Sequence, residues 1–472
     1  MALPKESSDS RLPEMETCIS EGSGSEDPST ADLQRHQRRN KRRCNRCCIP
    51  SRALVSALTA SILGFLTFSI CAGIFMSSGI FITELVKAFK QSAGTAALVA
   101  SFADITFGLG ALPVPFLHRR LGVPVTYVLG ASVVVLGVFL TSFAVSAEYF
   151  ICLHGILVSL GLTICYVTQL QILYIYTPQQ RRGLCMAFAA SGGGAGAAWM
   201  GPALSVSFEQ LGLHATLRVF ASGLAVCLAV LVTTVCLLYR YGRQFKDSPT
   251  SESSRTGLVR HNTSLCHWLC DPQFMTLYVA FAIYTFGASA PPAHLPTYVA
   301  EQGVSTPLVG TIISVFGIAN GLGRIVFPNV GDCLGGEYLR IFGVTVLANG
   351  CSVLALPLCR STASLFSVAG VLGFSFGGRI GVICLVCCQL FGQEQATKSF
   401  SLLTTAFTLT SPFGPPFVGL VHDCIGRYDI GFIVVGMLMV VSSILLGWLD
   451  IARTRRMKDF QVEDKDIGDE TL

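Results

Sequence analysis

The sequence predicts an all-α integral membrane protein: twelve transmembrane helices in two six-helix bundles, with both termini cytoplasmic. Three observations carry this. Hydrophobic residues make up 51% of the 472 positions and charged residues 13%, and mean hydropathy is +0.59, far from the balance of soluble domains. Apolar runs of about 20 residues, enough to cross roughly 30 Å of hydrocarbon, recur along the chain. Finally, Gly108 to Gly122 (GLGALPVPFLHRRLG) is echoed by Gly321 to Gly335 (GLGRIVFPNVGDCLG), 213 residues further on. The Gly-Leu-Gly start, the proline eight positions in and the closing Leu-Gly coincide without gaps. A half-chain repeat of this kind is a signature of secondary transporters.

Taken in order, residues 1–34 are rich in Ser, Glu, Asp and Gly and are predicted to be disordered. The basic run Arg35 to Arg52 then completes a cytoplasmic tail, 1–52, and reads as a positive-inside signal against the first span. So placed against a bilayer it argues against a nucleic-acid partner. Cys47 and Cys48 are candidate palmitoylation sites by position.

Six spans are expected at about 54–82, 93–117, 123–145, 149–173, 183–206 and 216–239, forming a first bundle over 53–239. A polar linker, 240–272, follows; its Asn262-Thr263-Ser264 sequon is expected to be cytosolic and unused. A second bundle over 273–450 holds spans at about 273–298, 307–329, 339–358, 363–391, 397–421 and 430–450, before a cytoplasmic tail, 451–472. Basic residues gather in alternate loops (Arg119, Arg120, Arg181, Arg182, Arg240, Arg243, Arg453, Arg455), which puts both ends inside. Most of the 19 cysteines lie within apolar runs as small hydrophobes, and neither a disulfide framework nor a metal-ligand spacing is visible. No cofactor is expected.

Charges inside spans are the functional candidates, because a charged group in hydrocarbon costs at least a few kcal/mol unless it meets a cavity or a partner. Arg324 lies about 25 Å down the eighth span and could grip a carboxylate bidentately, or pair with Asp332 beyond it. Arg379, among small residues in GFSFGGRIGVICLV of the tenth span, is a second candidate. Asp104, in SFADITFGLG, is the acidic residue well inside a span and could carry a proton or act as a counter-ion. His294 follows a Pro-Pro pair that should open the seventh helix. Gly192 and Gly196, with Gly321 and Gly323, read as a close-packing surface between the fifth and eighth spans, and Gly108 and Gly110 as its repeat counterpart. An intramembrane enzyme would need a nucleophile–base or metal cluster, which these sparse charges do not supply.

Four stretches add a family resemblance: GIFITELVKAF with Phe81 and Glu84, RRGLCMAFAASGGGAG from Arg181, Arg324 in its span, and GPPFVGLVHDCIGRY from Gly414. Together they resemble the monocarboxylate transporter family (solute carrier family 16) of the major facilitator superfamily, across about residues 60 to 450. The resemblance implies a major-facilitator-type fold, with Arg324 in the substrate site and Asn320, Tyr166, Tyr284 and Phe286 on cavity-lining spans. It also implies a lipid-embedded plasma-membrane carrier of a small organic anion or zwitterion, in a family where some members need a single-span glycoprotein chaperone to reach the surface.

Departures qualify the match. Met76 stands where the lactate–proton branch has a lysine, and Asn320 where it has an aspartate. A divergent member is therefore expected, moving another monocarboxylate-like solute, an aromatic amino acid or an iodothyronine. The rival expectation is a transporter-like sensor that binds a metabolite without moving it.

Overall fold

The computed structural model describes residues 51–178, 181–242, 268 and 270–469; the N-terminal tail with Cys47 and Cys48, and the sequon at Asn262, lie outside them. The described residues form helices and no strands. Ten helical stretches are long and apolar enough to cross a membrane. The first half runs α1 (Ser51–Met76), α2 (Ser78–Phe89), α3 (Ala93–Gly110), α4 (Val114–Leu121) and α5 (Val123–Thr141). It continues as α6 (Ala147–Cys152), a π-turn at Leu153–Val158, α7 (Ser159–Tyr176) and α8 (Arg182–Tyr241). The second half runs α9 (Pro272–Ala288), α10 (Ala290–Glu301), α11 (Thr306–Cys333), α12 (Tyr338–Ala355), α13 (Thr362–Thr410), α14 (Gly414–Ile425) and α15 (Asp429–Asp469).

Local chemistry sets the breaks. α1 and α2 are one apolar stretch interrupted at Ser77, and α8 is two helices that meet at Gly212, whose φ of 73° glycine adopts without strain. Predicted spans and helices differ in several places: spans 1, 7 and 11 are broken at Ser77, Ser289 and 411–413, and two further ends differ. Span 2 stops at Gly110, short of the expected 117, because Pro113 and Pro115 together interrupt the ladder, whereas α11 passes through its single Pro328. The final helix continues past residue 450 to Asp469, since no proline intervenes and the first glycine is Gly468. Ser92 caps α3 by accepting from Thr95 N at 3.1 Å, and Asp271 caps α9 by accepting from Gln273 N at 3.0 Å.

The repeat is visible in the backbone. The left-handed positions Lys90 and Gly303, then Gly122 and Gly335, recur at the spacing of the sequence echo, and Gly212 and Gly426 do so within one residue. Each pair turns the chain out of equivalent spans. The echo in sequence is thus a repeated turn.

Lipid tails are as apolar as leucine, so helices associate in a membrane through close packing. Glycine supplies the closeness. A methyl on Gly196 would stand 1.9 Å from Ser69 O, and one on Gly192 2.1 Å from Phe65 O, so both seat α8 on α1. These two were expected to face the eighth span; their neighbour Gly194 does so, 2.2 Å from Gly321 N by the same measure. Gly323 meets Phe374 O of α13 at 2.1 Å, and Gly108 meets Thr408 of α13 at 2.0 Å. Gly110 is looser, 3.0 Å from Leu160.

Gly196→Ala is expected to force α1 and α8 apart and cost about 1–3 kcal/mol, read as a lower melting temperature in detergent. Gly223→Ala, with nothing within 4 Å of the new methyl, should leave stability unchanged or raise it by up to about 1 kcal/mol.

Candidate functional site

Between the halves lies a cavity of about 50 Å³, lined from α1 by Phe75 and Met76, from α3 by Ala103 and Asp104, from α9 by Thr285, and from α13 by Phe376, Phe407 and Arg379. Its lining also includes Ser411, which caps α13 through its N–H to Phe407 O and opens the short 3₁₀ turn Ser411–Phe413. Asp104 is 3% exposed, and Ser411 Oγ donates to its Oδ2.

Arg379 is 7% exposed, and its guanidinium carbon lies 4.8 Å from the Phe376 ring centre and 5.0 Å from that of Tyr284. Stacking of this kind favours the cation but leaves the donor edges free. Arg379 Nε has no hydrogen-bond partner, and Arg379 forms no ion pair with any described residue. A guanidinium buried without an acceptor is costly, and its free donors can take an anion.

Arg324 is used differently. Its Nε donates to Asn320 Oδ1 at 2.9 Å and its Nη1 to Ala190 O at 2.8 Å, so the side chain straps α11 to α8 beside Gly193. It does not pair with Asp332, which accepts from Tyr338 Oη. Asn320 is fully buried, with Nδ2 unpartnered.

The Tyr166 ring lies tilted against that of Phe68 at 4.6 Å and edge-on to that of Phe107 at 5.4 Å, and it is not part of the cavity lining. Phe286 turns to Phe417, 5.6 Å away, in a separate crevice; its neighbour Thr285 takes the cavity face. Fully buried His294 bonds Pro415 O through Nε2 at 2.7 Å, with its ring 5.2 Å from that of Tyr428. Met76 lines the cavity, so the position that the resemblance matches to a lysine is apolar there.

The end of the molecule where α2 meets α3 is tied shut across the halves. Asp423, beyond α14's apolar stretch, accepts from Ala93 N at 2.9 Å and Gly94 N at 2.8 Å, capping α3 from the other half. Thr83 and Thr297 hydroxyls bond at 2.6 Å, and Ser314 Oγ donates to Ala198 O at 2.6 Å. His422 stacks on Tyr428 at 4.1 Å and approaches Glu301 at 3.2 Å. Towards the opposite end the bond from Arg324 to Ala190 O crosses between the halves, while others stay within one half, as in His118 to Thr168 at 3.0 Å, Arg340 to Asp450 at 3.1 Å and Leu339 N to Gln389 at 2.8 Å. Sequence reasoning quoted Asp423 within a motif but missed its role, because a cap supplied from the other half leaves no local spacing. Ser411 carried no sequence signal beyond the proline after it.

Two broken halves around a central cavity define a membrane transporter, and the Major Facilitator Superfamily model matches residues 63–383 and 277–466. The chain belongs to that superfamily. Within it, the chain is a divergent relative of the monocarboxylate transporters. It is 26% identical to Monocarboxylate transporter 12 of Xenopus laevis, over 78% of this chain and 83% of that one. It is 25% identical to Monocarboxylate transporter 13 of Rattus norvegicus, over 80% and 85%. The fold also matches a bacterial homologue of the human lysosomal transporter Spinster, in an inward-facing and unoccupied conformation, with TM-score 0.67 and 12% identity, over 85% of this chain and 98% of that one.

Partial burial pushes the Asp423 carboxyl up, but the amides of Gly94 and Ala93 outweigh it and hold the group below its ordinary 3.8. A depressed value means the cap contributes fully above that ordinary pH and fades only as pH falls through the lower one. Asp423→Asn should therefore cost about 1 kcal/mol at pH 7 in detergent melts, a difference that shrinks as pH falls below the ordinary carboxylate value.

Proposed function

We propose that this chain is a secondary transporter of the plasma membrane that moves a small organic anion or zwitterion, monocarboxylate-like, by alternating access. In this reading the helix at Gly212 is two passes, and the broken segment 393–425 is another, making twelve passes in bundles 53–239 and 273–450 with both termini cytoplasmic. Arg379 is the carboxylate clamp. The observation that carries the reading is its free guanidinium, buried in a cavity shared by two repeated halves. Arg324, with its donors partly spent on Asn320 and Ala190 O, holds α8 to α11 while the halves move.

The tied end, where Asp423 caps α3 and Thr83 meets Thr297, is the outer face by the distribution of basic loops, so the chain is closed to the outside. Opening would require those bonds to break while the glycine contacts along α8 and α11 act as the pivot. A handful of hydrogen bonds, each worth about 1 kcal/mol net, is a barrier that solute binding can offset.

Purified protein in liposomes should accumulate a labelled organic acid from a panel of lactate, pyruvate and amino acids. Arg379→Gln should cut uptake by about tenfold or more, since a hydrogen-bonded charge pair is worth about 1.5–3 kcal/mol. Binding without any uptake would replace the carrier with a sensor. Joining Thr83→Cys to Thr297→Cys by oxidation should arrest uptake, and a reductant should restore it; full uptake by the cross-linked protein would show that this end need not open.

A further inference from the structure

We propose that the cavity selects a small zwitterion, its carboxylate held by Arg379 and its ammonium by Asp104, so that the bound solute joins the two halves. This rests on the carrier reading above and narrows it to one substrate class.

The cavity holds one carboxylate and one guanidinium, both more than nine-tenths buried and supplied by opposite halves, α3 and α13. They do not pair with each other. Ser411 occupies Asp104 Oδ2, while Oδ1 accepts no hydrogen bond from a described residue. Arg379 Nε is likewise without an acceptor among the described residues, the guanidinium lying beside the Tyr284 and Phe376 rings.

A monoanion would satisfy Arg379 and leave Asp104 facing like charge in a low-dielectric space. A monocation would do the reverse. A solute carrying both charges satisfies both, and adds no net charge to the buried site. Of the remaining walls, Phe75, Met76, Ala103 and Phe407 are apolar, while the Thr285 and Ser289 hydroxyls bond Thr410 Oγ1 and Ser411 O, and none of these residues brings a charge. The space of about 50 Å³ corresponds to roughly four water-sized positions, which limits the solute to a short chain between its two charges.

The test compares carbon-matched solutes in proteoliposomes: glycine with acetate, β-alanine with propanoate and propylamine, and 4-aminobutanoate with butanoate. The expected result is kcat/KM at least about tenfold higher for the best zwitterion than for its matched acid. Asp104→Asn should collapse that preference by a similar factor by weakening the zwitterion and not the acid, and Asp104→Glu should shift the preferred chain length. If wild-type protein carries the matched acid as well as the zwitterion, the proposal is overturned while the carrier stands, and this comparison needs no folded variant. If no solute is carried, the carrier reading itself fails and takes this proposal with it.

Discussion

In a bilayer, helices have no hydrophobic reason to prefer each other to lipid, and everything in this molecule depends on backbones coming close enough to attract by contact alone. The seams are built for that. Gly194 on Gly321, Gly196 on Ser69 and Gly323 on Phe374 leave no room for even a methyl group. With these seams fixed, Asp104 and Arg379 can be held in a shared space that neither helix could close by itself. Contact between bare backbones is also weakly directional, which suits the α8–α11 seam to the pivot proposed above.

The two halves repeat in their turns and differ in their chemistry. Lys90 and Gly303, and Gly122 and Gly335, all bend the chain through a positive φ. Lys90 accepts a left-handed conformation that costs a side-chain-bearing residue more than a glycine, so the turn itself, and not the residue, is what the repeat preserves. Arg379 and Asp104 sit at positions whose counterparts one repeat away, Tyr166 and Gly317, carry no charge. A symmetric frame thus holds an asymmetric site.

Most of the frame was legible because hydrocarbon imposes its length on every span, and because proline and glycine announce breaks. The exceptions were cumulative: one proline let α11 continue, whereas Pro113 with Pro115 ended α3 at Gly110. The site was only half legible. Buried charge pointed to Asp104, Arg324 and Arg379 alike, but spacing cannot say which guanidinium finds acceptors; Ala190 O, 134 residues away, satisfies Arg324 and leaves Arg379 free. Phe286 was one residue from the right place, and a single step around a helix, about 100°, moves the side chain from the cavity to another crevice.

The pairing of one acid with one base across the cavity bears on energy supply. An empty site that is already balanced can reorient without dragging a fixed charge through the field, and a zwitterion leaves the balance untouched. Each elementary charge carried across 100 mV is worth about 2.3 kcal/mol, and a carrier built this way gains and loses none of it. On the proposed binding of a zwitterion, this site would add no voltage dependence of its own to transport.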